Sequence, residues 1–208
     1  MCLSVNDGDW IETKDQGGSD YRLLQVSNVG LASFRETGKF RYVTQETFDR
    51  LRCQEVLPGD LLISRMPTPI GRAWLVTEMP WRMITAVDVA IAKPNVAVTG
   101  RYYLLCYLNS ETHLGLAGQH ATGTTRPRVS RRALCGIKTL IPPSDLQFAF
   151  DERLEAMFQL ATALDKRNEN LRTTRDLLLP KLISGKLDVE DLDIDVGEPL
   201  EELAEVTA

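Results

Sequence analysis

The chain has 208 residues, of which 43% are hydrophobic and 25% are charged, values that are ordinary for a folded globular protein. No apolar run approaches the roughly 20 residues of a membrane-spanning helix, and the N-terminal segment does not resemble a secretory signal. The four cysteines, Cys2, Cys53, Cys106 and Cys135, are far apart in the sequence. This spacing favours reduced thiols in a cytoplasm over disulfides or a zinc site. We therefore expect a cytoplasmic protein.

The net charge of −5 hides a segregation of charge along the chain. Residues 1–143 carry 17 Lys and Arg against 13 Asp and Glu, whereas residues 144–208 carry 7 against 16. The last segment, 188–208, has nine acidic residues and no basic one. This pattern predicts a domain that binds a polyanion, followed by an acidic, disordered tail. A solvated surface with a disordered end is the alternative.

The elements predicted for the first 143 residues are those of an α+β domain. Strand patterns occur at residues 21–26, 40–44, 60–64, 71–76, 83–93 and 137–141. Thr44 and Ser130 each precede a short helical pattern, for which the hydroxyl can act as N-cap. The apolar run 100–109 predicts a buried helix, and residues 113–128 predict a polar loop that is rich in Gly and Thr. Pro142 and Pro143 end the domain.

Residues 146–187 predict one long helix that follows a cap at Ser144 or Asp145. Its apolar side chains have the alternating three- and four-residue spacing of a coiled-coil seam. When the helix is paired antiparallel with a second copy about Lys166, each layer joins one heptad position to the other, which predicts a homodimer. Pro180 cannot donate to the helical ladder, so a kink or restart is expected there. The ten predicted interface residues are Phe150, Leu154, Met157, Ala161, Leu164, Asn168, Leu171, Arg175, Leu178 and Leu182.

The sequence offers few candidates for catalysis. Asp9, Glu12 and Lys14 echo the acid-x-Lys end of some metal-dependent nuclease sites, which leaves a small nuclease as an alternative function. No phosphate-binding glycine loop and no nucleophile elbow occurs, and His113 and His120 have no evident nucleophile partner. We therefore predict no catalytic residue and no metal site.

Features that suit nucleic-acid binding are stronger. Arg65 and Arg72 bracket a loop stiffened by Pro and Gly, and arginine on such a loop suits paired contacts to guanine or phosphate. Thr124, Thr125 and Arg126 precede a helix start, which suits contacts to the phosphate backbone. For each residue alone, an internal structural role is the alternative. The residues predicted to bind DNA are Lys14, Lys39, Arg41, Arg65, Arg72, Gln119, Thr124, Thr125, Arg126 and Arg128.

Six segments of the chain, taken in order, resemble the specificity subunit of type I restriction-modification systems. The similarity runs from about residue 8 to residue 187 and leaves only the acidic tail outside it. Each segment is short, but six in the right order make a specific signal. They are GDWI at 8–11, YRLLQVSNVG at 21–30, PGDLLISR at 58–65, PIGR at 69–72, TGTTR at 122–126 and LLLPKLISGKL at 177–187.

The resemblance implies a target recognition domain at 1–143, a dimerisation and spacer helix at 144–187 and the tail at 188–208. It implies a non-catalytic subunit that reads half of a bipartite DNA target. Its partners would be methyltransferase (modification) subunits and a motor-nuclease (restriction) subunit. No cofactor is expected in this chain, since S-adenosylmethionine, Mg²⁺ and ATP would bind the partner subunits.

Family members usually contain two recognition domains and two such helices, whereas this chain has one of each. It therefore looks like a half-subunit that pairs with itself or with another half-subunit. A truncated and inactive specificity subunit is the alternative. The bases that it reads cannot be derived from the sequence.

Overall fold

The structure, a computed structural model, describes residues 1–187. The predicted acidic tail at 188–208 lies outside the described residues. The chain divides into two compact units, Met1–Met157 and Phe158–Ala208. Within residues 1–187, no helix is long and apolar enough to cross a membrane. The bounds of the recognition domain, the spacer helix and the tail that the resemblance implies stay predictions.

The strands of the described chain form three small sheets. The order β1-β7-β4-β5 makes an antiparallel sheet, and β3-β2-β6 makes a mixed sheet in which β2 and β6 are parallel. The last two strands form a hairpin. The strands are β1 (Cys2–Asp7), β2 (Tyr21–Leu24), β3 (Tyr42–Val43), β4 (Leu61–Ser64), β5 (Ala73–Leu75), β6 (Arg82–Thr85), β7 (Val89–Pro94), β8 (Ala121–Thr122) and β9 (Arg128–Val129).

The helices confirm both predicted N-caps and the α+β class. The Thr44 hydroxyl accepts the Thr47 N–H, and the Ser130 hydroxyl accepts the Ala133 N–H. Short 3-10 helices lie at Thr13–Asp15 and Val26–Asn28. The α-helices of residues 1–187 are α1 (Gln45–Leu51), α2 (Arg101–Leu108), α3 (Glu111–Gln119), α4 (Arg131–Gly136) and α5 (Ser144–Ile183).

Two predictions of local structure in residues 1–143 are wrong, and β1 is an element that we did not predict. Residues 113–128 are not a loop, because α3 and the β8–β9 hairpin occupy most of them. The cap at Ser110 and the helix after it are hard to recognise in a sequence with glycines at 115 and 118. Residues 137–141 form no strand, and the Leu140 carbonyl accepts the Tyr103 hydroxyl at 2.8 Å. The apolar pattern there reflects Ile137 and Ile141, which line a cavity of about 400 Å³.

Hydrophobic clusters pack on both faces of the mixed sheet. Tyr21 and Leu23 point into one cluster, and Leu24 points into the other, as the alternation of side chains along a strand requires. By the same alternation Arg22 shares the face of Leu24, where Phe34 and Trp81 cover the core. A fully buried arginine position is therefore built into the central strand of this sheet.

The first turns of α5 are anchored to α2 by two polar side chains. Gln147 is 1% exposed; its side-chain oxygen accepts the N–H of Gly100, the N-cap of α2, at 3.3 Å, and its amide group donates to the Pro142 carbonyl at 2.7 Å. The Asp151 carboxylate accepts the N–H groups of Tyr102 and Tyr103 at 3.1 and 2.8 Å, which satisfies the first turn of α2. A Cβ atom at Gly100 would lie 2.5 Å from an Asp151 oxygen, so this contact needs glycine.

The second unit, as far as it is described, is the remainder of α5 and the turn that ends it. The helix continues through Pro180 to Ile183, so it does not restart at this proline, and the kink that is the other expected outcome stays a prediction. Gly185 has a φ of +66°, and its N–H bonds to the Leu182 carbonyl, while the Lys186 N–H bonds to the Lys181 carbonyl. This is the pattern of a Schellman C-cap, in which glycine takes the left-handed position.

Replacing Asp151 with Ala should lower the free energy of unfolding by about 1–2 kcal/mol, because two N–H groups of α2 lose their acceptor. Urea denaturation of both proteins measures the difference. The control is Glu152→Ala, which removes the same charge from an exposed position of the same helix and should change stability by less than about 0.5 kcal/mol. Equal stabilities of the two variants would contradict the anchoring role.

Candidate nucleic-acid interface

The loop between β4 and β5 ends at a buried arginine that ties two loops together. Arg72 is 4% exposed, and its guanidinium donates to four backbone carbonyls. One belongs to the second 3-10 helix, Val26 at 2.8 Å, and one to the residue that follows it, Val29 at 2.6 Å. The other two belong to its own loop, Met66 at 3.1 Å and Pro69 at 2.7 Å. Burial lowers the pKa of Arg72, and these carbonyl dipoles compensate its charge.

The same loop begins at a second buried arginine, Arg65, which is 6% exposed. Its guanidinium donates to the carbonyls of Val129 at 3.0 Å and Val87 at 3.2 Å, and it pairs with the Asp7 carboxylate. Its backbone N–H also bonds to the Asp88 carbonyl at 2.9 Å. Burial lowers the pKa of Arg65, while Asp7 acts in the opposite direction. Arg65 therefore joins the β8–β9 hairpin to the end of β1 and to the β6–β7 turn.

These contacts correct the prediction that Arg65 and Arg72 bind DNA. The guanidinium of each is buried and directed at backbone carbonyls, so it is not available to a ligand. The sequence correctly marks this loop as rigid, but the arginines supply the rigidity rather than a contact surface. An internal structural role, which is the alternative to DNA binding for each residue, therefore applies to both arginines.

Three segments next to the anchor points of these arginines are together called the loop face. It comprises residues 31–41, 66–69 and 123–127. Arg72 bonds to Val29, just before the first segment, and Arg65 bonds to Val129, just after the third. Thr124 and Thr125 are exposed at the tip of the β8–β9 hairpin.

The loop face presents cations whose charge is not neutralised within the described chain. Arg35, Lys39, Arg41 and Arg126 are exposed, and no ion pair joins them to a carboxylate in residues 1–187. The acids near this surface are engaged by other arginines, so the surface is positive overall. Those pairs are Glu36 with Arg22 at 2.7 Å, Asp88 with Arg128 at 2.8 Å, and Asp7 with Arg65 and, at 3.5 Å, with Arg131.

The remaining predicted residues fall into two groups. Arg128 is half-exposed at the base of the hairpin and occupied by Asp88. Lys14 and Gln119 are exposed but lie outside the loop face. Lys14 is in the first 3-10 helix and pairs with Glu12 at 2.8 Å, and Gln119 is at the end of α3. The structure therefore places Lys39, Arg41, Thr124, Thr125 and Arg126 on the loop face, and the residue that we missed there is Arg35. Its only sequence signal is a lone positive charge in a polar segment.

The predicted interface residues of α5 lie on a largely exposed helix. Phe150, in the first unit, is 40% exposed and packs edge-on against Tyr103. In the second unit Arg175 pairs with its neighbour Asp176. The apolar seam residues have exposures of 64% for Met157, 49% for Leu164, 59% for Leu171, 40% for Leu178 and 39% for Leu182. Leu154, Ala161 and Asn168 are intermediate or exposed.

The residues of the nuclease alternative have separate structural roles. The Asp9 carboxylate accepts the Gln54 N–H at 3.2 Å, and burial raises its pKa to about 6. Glu12 is fully exposed and pairs with Lys14, which lowers the pKa of the carboxyl group. Among residues 1–187, no group of three or more His, Cys, Asp or Glu side chains could hold a metal ion.

An α+β domain followed by one long helix is the architecture of residues 1–187, and solved structures share this fold. No family model matches the sequence, and no curated protein matches it significantly. The S subunit of a type I restriction-modification system from M. genitalium is 15% identical, with a TM-score of 0.57 over 87% of this chain. A chain of a type I restriction-modification system, from a structure of complex assembly and conformational transition, is 17% identical, with a TM-score of 0.52 over 84%.

The protein therefore has the fold of the type I specificity subunits, which confirms the fold implied by the resemblance. The match covers 43% and 40% of those two chains, so this chain spans less than half the length of the structures that it matches. That proportion agrees with the single domain and single long helix found in residues 1–187.

Replacing Arg72 with Lys should lower the free energy of unfolding by about 2–4 kcal/mol, because an ammonium group cannot reach four carbonyls on two loops. Thermal or urea denaturation measures the loss. The matched control is Arg35→Lys on the adjacent loop, which should stay within about 0.5 kcal/mol because Arg35 is exposed. An Arg72→Lys protein as stable as the control would remove Arg72 from its bracing role.

Proposed function

We propose that this protein is a DNA-recognition subunit of a type I restriction-modification complex, in a form with one recognition domain. The observation that carries the proposal is the likeness in fold to structures of type I restriction-modification systems, which covers 84% and 87% of this chain. The unpaired cations of the loop face support it, because phosphate groups are the most general ligand for such a surface. The subunit itself needs no catalytic residue, since its partners perform the chemistry.

In this proposal the loop face meets DNA, and its residues divide by chemistry. Thr124, Thr125 and Arg126 suit contacts to phosphate oxygens, which set the register of the protein on the duplex. Arg35, Lys39 and Arg41 lie on the neighbouring segment, where some can reach base edges. Lys14 and Gln119 stay outside this central set and are at most peripheral contacts.

The helix α5 would join two recognition domains by pairing antiparallel with a second copy. Most of its seam residues are apolar and exposed, an arrangement that in water favours association. A homodimer of this kind would read an interrupted palindrome, because two-fold symmetry of the protein imposes the same symmetry on the site. Pairing with a different half-subunit would instead give an asymmetric target.

The last turns of α5 carry more apolar surface than one partner helix covers. Leu179 and Ile183 are 49% and 78% exposed, and each lies 100° around the helix from a seam residue, Leu178 or Leu182. This wider surface is where we propose that the modification subunits bind. Co-purification of the chain with a modification subunit, followed by a methylation assay, distinguishes a working half-subunit from a truncated one.

Replacing Arg41 or Arg126 with Gln should weaken binding to duplex DNA and reduce the slope of log affinity against log salt by about one for each lost phosphate contact. Fluorescence anisotropy over a range of salt concentrations measures both quantities. The matched control, Arg101→Gln, removes an exposed arginine outside the loop face and should leave the slope unaltered. Equal slopes for all three variants would contradict the assignment of this surface.

Replacing Leu171 with Glu should convert a dimer into a monomer at micromolar concentration, because the antiparallel pairing buries this position against Ala161. Sedimentation equilibrium measures the state. Thr173→Glu adds the same charge 200° further around the helix and should leave the dimer intact. A native chain that is monomeric in the same experiment would overturn the pairing.

A further inference from the structure

The first segment of the loop face, residues 31–41, is rigidly held although it lies outside the regular elements. Hydrogen bonds pin its start, its middle and its end to the sheets and to the 3-10 helix. Side chains that point outward from it therefore have a defined position before any ligand binds. The bonds run from the Ala32 N–H to the Ala73 carbonyl (2.9 Å), from the Arg35 N–H to the Asn28 carbonyl (2.9 Å), from the Asn28 side-chain amide to the Arg35 carbonyl (3.0 Å) and from the Leu23 N–H to the Arg41 carbonyl (2.8 Å).

An ion pair between a buried arginine and a partly exposed glutamate fixes the turn inside this segment. Arg22 is 2% exposed and donates to both oxygens of Glu36, at 2.7 and 2.8 Å. The same carboxylate accepts the N–H groups of Thr37 and Gly38 at 2.8 and 3.2 Å. Partial burial raises the pKa of Glu36, but the hydrogen bonds from Arg22 and the turn lower it overall. Gly38, with a φ of +67°, lets the chain reverse around the carboxylate.

The turn presents Phe40, an aromatic side chain that is 57% exposed. The Arg22 guanidinium lies 4.8 Å from the centroid of its ring, and the same guanidinium lies 4.5 Å from the ring of Trp81. Cation–π contact therefore holds one face of the Phe40 ring against the protein. Since more than half of the side chain is accessible, the opposite face is open to solvent.

The neighbours of Phe40 indicate what covers this open face. Lys39 and Arg41 flank it, both exposed and without an ion pair in residues 1–187. Charged side chains, lysine above all, are depleted in the cores of protein–protein interfaces, whereas cations beside an aromatic ring are common where nucleic acid binds. In an intact duplex the bases are stacked on one another, so a side chain meets only their edges. The apolar group on those edges is the 5-methyl group of thymine.

We infer that Phe40 reads the 5-methyl group of a thymine in the major groove, with Lys39 and Arg41 on the adjacent phosphates. This inference rests on the proposed function, and it assigns one base, a thymine, in the DNA sequence that the protein reads. Phe40 is then a specificity-determining residue, whereas the two cations contribute affinity that does not depend on the base.

The experiment uses the full chain and a DNA duplex that it selects from a random pool. Each thymine of the selected site is replaced in turn by deoxyuridine, which lacks only the methyl group. We expect one position at which this replacement weakens binding roughly fourfold, the factor that corresponds to one buried methyl group. In Phe40→Ala the thymine and deoxyuridine duplexes should bind equally, and Phe40→Leu should retain part of the difference.

The control is Val96→Ala, which shortens an exposed apolar side chain outside the loop face and should keep the native preference for thymine. An unaltered midpoint of thermal unfolding shows that Phe40→Ala still folds. Selective binding in which no thymine depends on Phe40 overturns this inference and leaves the proposed function standing. A preference that appears only when the base is unpaired assigns Phe40 to stacking and also overturns it. A native chain that selects no DNA sequence overturns both proposals.

Discussion

The surface loops of this protein depend on the burial of arginine guanidinium groups among backbone carbonyls. A buried cation is tolerated only when its donors are satisfied, and Arg72 meets this requirement with four carbonyls instead of a carboxylate. Because those carbonyls come from two different loops, the loops must converge for the charge to be compensated. Arg65 likewise holds two parts of the chain together, since it binds the Val129 carbonyl of the β8–β9 hairpin and the Asp7 carboxylate at the end of β1.

This internal use of arginine also determines the charge of the surface. Asp7, Asp88 and Glu36 are engaged by arginines, so their negative charge does not oppose the exposed cations. The loop face is therefore positive although residues 1–143 carry only a small excess of basic residues. The distribution of charge between paired and unpaired groups matters here more than the net charge.

The sequence predicts the regular parts of the structure well and the role of individual arginines poorly. Thr44, Ser130 and the long helix are predicted because capping and heptad spacing depend on neighbours in sequence. Arg65 and Arg72 are misjudged because their role depends on carbonyls of residues 26–29 and 129, which are far away in the chain. The strand predicted at 137–141 is wrong for a similar reason, because a strand needs a pairing partner that the local sequence does not reveal.

The segments that carry the sequence resemblance are largely those of the bracing network. Residues 21–30 contain Arg22 and the two carbonyls that Arg72 binds, and the segments at 58–65 and 69–72 end in the buried arginines themselves. These three segments of the resemblance therefore contain residues that hold the loops in place.

The outward side chains of the loop face contribute little to this network. Arg35, Lys39 and Arg126 are exposed and form no ion pair within residues 1–187, and the ring of Phe40 is held by one contact, with Arg22. Exposed positions of this kind accept substitution with small effects on stability. A scaffold fixed by buried arginines can therefore present different outward residues without refolding. For the DNA-recognition role that we propose, this separation would allow the recognised DNA sequence to change while the fold is retained.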